Sequence, residues 1–161
     1  MSSDDAQFDK GDSGAAITEL KEAGRMKPGS YIIMKDQYPC KVTAFSTAKP
    51  GKHGSAKAMI TAKDVFTDKQ YDETFGTGDM IPAPIIKKVE CVCMSIDDDM
   101  LQLLVGDDLK CDLALPTESH LSDVAKRIKE ILDAGSKECL VQYQCYGEKE
   151  QVVAVREGQE I

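Results

Sequence analysis

Two small β-barrels joined in tandem, the second built on an OB pattern with a single main helix, are what this sequence predicts. Three observations carry that prediction. Short runs of alternating apolar and polar residues recur along the chain, with the period of two expected of half-buried strands. A proline-containing break falls at the middle, at Pro82 and Pro84. Only one segment switches to a helical period. The composition agrees: 161 residues, 42% apolar and 30% charged, are enough for a globular fold and are no more than two small domains.

Taken in order, residues 1–26 are rich in Ser, Asp, Gly and Ala and read as a flexible acidic tail. Lys27-Pro28-Gly29 is a turn signal, and strand runs follow at 30–34 and 38–46. In the second run Cys40, Val42 and Ala44 alternate with Lys41, Thr43 and Phe45. Residues 57–66 and 69–75 are two more strands. Gly76-Thr77-Gly78-Asp79 and the two prolines then break the chain, which places a domain boundary near Ala83, between a first unit at 27–83 and a second at 84–161. Strands resume at 87–96, 100–105 and 109–115. Leu121, Val124, Ala125, Ile128, Ile131 and Leu132 next fall on one face of a helix spanning about 119–134. Thr117 or Ser119 is placed to cap its start and Gly135 to close its end. Strands at 138–146 and 151–156 finish the unit. Three strands, a helix and two strands is the order of an OB fold.

Charge is distributed unevenly. The net charge is −8, which argues against general coating of nucleic acid or membrane. Residues 1–83 carry 11 bases and 12 acids, whereas residues 84–161 carry 9 bases and 16 acids. Yet residues 37–62 contain no acid at all, while Lys41, Lys49, Lys52, His53 and Lys57 lie within them. One cationic segment on an acidic protein is a local attractor for an anion.

No stretch is apolar enough to span a bilayer, and the polar, acidic start is unlike a signal or transit peptide, so no membrane association and a cytoplasmic location are expected. Six cysteines, at 40, 91, 93, 111, 139 and 145, are therefore expected as thiols rather than disulfides. Cys91 and Cys93 are two apart in a strand run and share one face. With His53 and His120 the only histidines and no paired C-x-x-C, no metal site is expected.

The segment that carries chemistry runs from Ser46 to Lys57. Gly51 and Gly54 bracket Lys52-His53, which suits the tip of a sharp hairpin, and Pro50 stiffens the approach without extending the ladder. Two motif matches fail on context. Gly51-Lys52-His53-Gly54 fits the GXXG of KH domains, but that loop joins helices and this one joins strands. Ser46-Thr47-Ala48-Lys49 fits S-x-x-K, but its companion motifs S-D-N and K-T-G are missing. Nothing in the sequence sets His53 or His120 beside one of the six cysteines as a Cys–His hydrolase would need.

Ser46-Thr47-x-Lys49-x-Gly51-Lys52-His53-Gly54-x-Ala56-Lys57 resembles the signature of the eukaryotic translation initiation factor 5A family, the hypusine-containing proteins. Tyr38-Pro39-Cys40-Lys41-Val42, Asp64-Val65-Phe66-Thr67 and Tyr71 resemble the flanking strands of that family. Leu103-Leu104, and Asp112-Leu113 leading to Leu115-Pro116, resemble its second domain. The resemblance covers residues 9 to about 146; Pro50 stands where the family more commonly has Thr or a small residue.

The resemblance implies an N-terminal SH3-like barrel carrying the loop and a C-terminal OB fold. It implies that Lys52 is converted to hypusine: deoxyhypusine synthase transfers an aminobutyl group from spermidine, and deoxyhypusine hydroxylase completes the residue. Neither an enzymatic activity of its own nor a bound cofactor is implied. The modified factor would bind the ribosome on its large subunit near the exit site. Its hypusine would reach toward the peptidyl transfer RNA, promoting peptide-bond formation at slow stretches such as consecutive prolines, and also termination. Lys49, Gly51, Lys52, His53, Gly54 and Lys57 are the residues expected to meet ribosomal RNA, and a weak homodimer is a further expectation. A different reading of the same loop is a small RNA-binding module that uses unmodified lysines; a third is an adaptor using the acidic second unit. That unit has only Tyr143 and Tyr146 as aromatics, too few for a strand-binding groove lined with stacking platforms.

Overall fold

The structure, a computed structural model, describes residues 16–49 and 56–161. Its chain divides between Ile85 and Ile86 into two compact units. Gly51, Lys52, His53, Gly54 and most of the expected acidic tail lie outside the described residues.

The first unit is built on a four-stranded antiparallel sheet in the order β2-β3-β4-β5. The strands are β2 (Tyr31–Met34), β3 (Tyr38–Ala48), β4 (Lys57–Asp64) and β5 (Gln70–Gly76). Alternation decides which side faces the core: Ile32 and Met34 from β2 meet Cys40 and Val42 from β3 and Ala58, Ile60 and Ala62 from β4, all buried. β2 also packs on β5 and on β6 (Met80–Pro84), curling the sheet into the expected SH3-like barrel.

Here the structure departs from the tail expectation. β1 (Thr18–Glu22) pairs antiparallel with β6, with Leu20 opposite Pro82 and Thr18 opposite Pro84. The prolines that signalled only a break sit in a two-stranded ribbon, an edge position where a missing N–H is tolerated. A 3₁₀ turn at Ala23–Arg25 follows, and Ala23 is completely buried. The exposed, charged Thr18–Glu22 strand has no apolar alternation of its own; its partner lies some sixty residues away and supplies its order.

The second unit is a five-stranded sheet in the order β11-β10-β7-β8-β9. Its strands are β7 (Lys87–Asp97), β8 (Met100–Val105), β9 (Asp108–Ala114), β10 (Lys137–Tyr146) and β11 (Lys149–Glu160). Edge strands β9 and β11 approach one another, and the ammonium of Lys110 on β9 lies 2.9 Å from Glu150 on β11. That closure, with helix α1 (Ser122–Ala134) between the third and fourth strands, is the OB arrangement. The helix buries Ile128 and Ile131, with Val124, Ala125 and Leu132 packed beside them against Leu101, Leu103, Val141 and Val152.

The ends of the helix divide the expectations. Gly135 takes the left-handed conformation at φ 68° and donates its N–H to the Ile131 carbonyl at 3.2 Å, as a glycine stop should. Neither Thr117 nor Ser119 caps the start, because a 3₁₀ turn at Ser119–Leu121 leads directly into the helix and the N-cap position falls on Leu121.

Candidate functional site: a hairpin presenting a cationic loop

The motif segment connects β3 to β4. Their ladder runs from Cys40 opposite Asp64 to Ala48 opposite Lys57, interrupted by one bulge between Val42 and Ala44. At roughly 3.3 Å per residue, the two strands carry the chain about 25 Å along their length before the loop begins. β2 pairs with residues 38–41 of β3, so among the described residues the distal part of β3 has β4 as its sole ladder neighbour. β4 is held on both sides, since Lys57 lies opposite Gly76 of β5 as well as Ala48 of β3.

The arms of this hairpin are chemically plain. Ala58 and Ile60 point into the core while Lys57 and Met59 face solvent. Lys49 and Lys57, the two expected contact residues within the described chain, are both exposed and flank the two ends of the loop. Lys41, further down β3, lies 6.0 Å over the ring of Tyr31. On neighbouring β5 the acids are engaged: Asp72 accepts from the Thr61 hydroxyl at 2.5 Å, and Glu73 accepts from the Lys35 N–H at 2.8 Å.

The loop's base is buttressed by residues that sequence reasoning passed over. Thr77 donates its N–H to the Ala56 carbonyl at 3.1 Å, fixing the residue just before β4. The Thr77 carbonyl in turn accepts from the Gly24 N–H at 2.8 Å, and the Asp79 carbonyl accepts from Ala23 at 2.8 Å. The Asp79 carboxylate accepts from the Gly76 N–H at 2.9 Å, closing the turn. A Cβ built on Gly24 would stand 2.9 Å from the Thr77 oxygen, so this approach requires glycine. The only sequence signal was Gly76-Thr77-Gly78-Asp79, which reads as a break but serves as a bracket.

At the far end of the hairpin, buried Asp64 accepts from the N–H groups of Phe66 at 2.8 Å and Thr67 at 3.1 Å. This turn, with Asp68 in the left-handed region at φ 67°, fixes where β4 hands over to β5. Tyr38 and Tyr71 stack beside it with centroids 4.4 Å apart. The Asp64-Val65-Phe66-Thr67 and Tyr71 segment quoted above is therefore the anchor of the hairpin.

Two family models match the chain. One, described as translation initiation factor 5A-like, N-terminal, spans residues 16–79; the other, described as eukaryotic elongation factor 5A hypusine, DNA-binding OB fold, spans residues 85–156. The chain belongs to the translation initiation factor 5A family. Among its relatives, a eukaryotic translation initiation factor 5A from Dictyostelium discoideum is 38% identical over 145 residues, covering 89% of this chain and 87% of its own. One from Dianthus caryophyllus is 34% identical and covers 98% of this chain and 97% of its own. A solved structure of a family protein from Naegleria fowleri superposes with a TM-score of 0.77 at 34% identity, covering 86% of this chain and 98% of its own. The second family model reaches past Gly147, beyond the segment whose likeness the sequence displayed. The protein is thus a translation factor of a family whose description names hypusine.

Of the two aromatics of the second unit, Tyr146 is partly exposed. Tyr143 is buried, with the Lys110 ammonium 5.4 Å over its ring, so its face is already covered. Among the described residues no cluster of three or more His, Cys, Asp or Glu side chains could hold a metal ion, and no helix is long and apolar enough to cross a membrane.

Proposed function

We propose that this protein binds the ribosome and acts through a hypusine formed on Lys52, promoting peptide-bond formation at slow stretches such as consecutive prolines, and termination. The observation that supports the reading is the β3–β4 hairpin: its register runs unbroken from the bulge to Ala48 and Lys57, so the two ends of the twelve-residue motif are anchored in paired strands. Lys52 lies between them in sequence, in a segment of 26 residues, 37–62, without a carboxylate.

The physical logic follows. A ribosome is dense in phosphate, and a cationic loop on an otherwise acidic protein approaches it loop first. Hypusine lengthens the side chain and adds a second ammonium. Proline is a constrained nucleophile, so holding the acceptor end of the peptidyl transfer RNA in a reactive geometry helps most there. Lys49, Gly51, His53, Gly54 and Lys57 would settle the loop on RNA around that arm, in the large subunit near the exit site. The factor contributes no catalytic cycle of its own in this reading; it completes a catalytic centre that belongs to the ribosome. Deoxyhypusine synthase and deoxyhypusine hydroxylase are then its modifying partners, and the cytoplasm is its place of work.

Lys52→Arg tests the reading. To accept an aminobutyl group the side chain must attack as a neutral amine; a lysine can be deprotonated when desolvated, whereas a guanidinium stays charged. Arginine therefore keeps the docking charge and forbids the modification. Expected is loss of rescue when Lys52→Arg replaces the factor in a dependent strain, with the unmodified mass of the loop peptide, while Lys49→Arg and Lys57→Arg rescue. Full rescue by Lys52→Arg would overturn the hypusine reading in favour of plain RNA binding.

A further inference from the structure

The second unit contains a pair of thiols that the proposed function does not use. Cys93 on β7 and Cys139 on β10 are register partners on adjacent antiparallel strands. Both are 2% exposed and belong to the same core, so both side chains leave the sheet on the same face. Directly opposed residues in an antiparallel pair have Cα atoms about 4.5–5.5 Å apart, inside the range of about 4.4–6.8 Å that a disulfide spans. The pair also sits next to a β-bulge, since the β7–β8 register shifts between Cys93 and Ser95, and the Cys93 sulfur lies 3.6 Å from the Ser95 carbonyl.

Burial alone would make such a pair inert, but these two line an opening. A cavity of about 380 Å³ runs beneath the end of α1, lined by Cys93, Cys139, Met94, Leu132 and Lys137 among others. It has ample room for a small hydroperoxide. The other core thiols lack this combination: burial pushes Cys91 and Cys145 up to about 11 and Cys40 up to about 12, and Val141 rather than a thiol stands opposite Cys91.

We propose that Cys93 and Cys139 form a peroxide-sensitive dithiol that closes to a cross-strand disulfide beside this cavity. The Cys139 thiol is hydrogen-bonded to the Cys93 sulfur, a contact that lowers the pKa of Cys93 and raises that of Cys139 and keeps the two sulfurs within reach of each other. The Cys93 thiolate attacks one oxygen of hydrogen peroxide; an S–O bond forms, the O–O bond breaks, and hydroxide leaves to become water. The Cys139 sulfur then attacks the Cys93 sulfenic acid; the S–S bond forms, the S–O bond breaks, and the departing hydroxide takes the Cys139 proton as a second water. Two thiols are oxidised by two electrons and one peroxide is reduced. In a reducing cytoplasm the pair rests as thiols, so the disulfide marks oxidative stress rather than the resting fold.

The experiment treats the fully reduced, full-length protein with equimolar hydrogen peroxide, blocks remaining thiols by alkylation in denaturant, and maps the peptides by mass spectrometry. Expected is a Cys93–Cys139 linked peptide lighter by two hydrogen atoms, abolished by dithiothreitol, with the other cysteines still alkylated. Cys111→Ser, which removes the exposed thiol, should leave the link intact, and Cys93→Ser or Cys139→Ser should remove it. Oxidation confined to Cys111, or a link joining any other pair, would overturn the proposal. The wild-type peptide map decides the matter even where a serine variant folds poorly.

Discussion

Gly24 shows how much a single residue can hold in place. Its N–H meets the Thr77 carbonyl at 2.8 Å, and a methyl group there would stand 2.9 Å from that oxygen and 3.0 Å from the Thr77 Cβ. Both obstacles lie on or next to the backbone, so neither can swing aside. Gly24→Ala is therefore expected to destabilise the first unit by about 1–3 kcal/mol, the usual cost of forcing an atom into a packed contact. Because Thr77 also donates to Ala56, the displacement should reach the base of the loop. Urea unfolding checks the first effect, and amide exchange at Thr77, whose N–H is the donor to Ala56, relative to the wild type checks the second. An unchanged unfolding midpoint would show that the Gly24–Thr77 approach is not a constraint. Nothing in the local sequence announced this role, since a lone glycine after a charged run looks like any loop glycine. Lys52, by contrast, is conspicuous in sequence because the two glycines and the missing acids surround it.

Among the elements, the strands that were legible are those with their own alternation, and the two that were not legible borrow their order. β3 displays Cys40 and Val42 at period two, both buried, but the bulge after Val42 breaks the expected alternation, leaving Ala44 exposed and Phe45 packed against the core; α1 displays Val124, Ala125, Ile128, Ile131 and Leu132 on one face, all turned toward the core. β1 and β6 carry no such pattern, and their pairing across the chain is a property of the fold. The closure of the OB sheet is likewise invisible in sequence. Lys110 lies 2.9 Å from both Asp112 and Glu150, and it joins β9 to β11 through the latter. Burial of the ammonium works against its charge, but the hydrogen bonds it donates to Asp112 and Glu150 outweigh burial and raise its pKa. A raised lysine pKa means that the folded state holds the proton more tightly than the unfolded chain. The resulting stability is fully present below the unfolded value of about 10.4, and is lost as pH climbs from there through the higher folded value. Lys110→Met should accordingly cost about 1–3 kcal/mol at neutral pH, the range of a charge-assisted hydrogen bond left without its donor. The variant should also flatten the fall in stability above about pH 10. Chemical denaturation at several pH values measures both, and a variant as stable as wild type at pH 7 would mean that the edge strands close by packing alone.

For the molecule as a whole, the decisive quantity is where its charge is placed. The chain carries −8 overall, and residues 84–161 alone carry −7, so bulk attraction to a polyanion is unavailable. On the proposed reading, attraction comes from the few cations of the loop, Lys49, Lys52 and Lys57, with His53 beside them. Each phosphate neutralised by such a cation releases condensed counterion, and the logarithm of affinity then falls by about 0.7–0.9 per tenfold rise in salt. Three contacts predict a loss of roughly 20–40-fold in ribosome affinity between about 50 and 200 mM salt. The same placement predicts that deleting residues 1–12, which carry four aspartates and one lysine, leaves binding unchanged or slightly tighter. Replacing Lys49 and Lys57 together with Gln should lower the salt slope by about two contacts' worth, which no change in the acidic tail can imitate. Sedimentation with purified ribosomes across a salt series measures all three. Salt-independent binding, or binding lost with the tail, would mean that the protein meets the ribosome through its acidic surface and its protein partners there, and that the hairpin is presented to something other than phosphate.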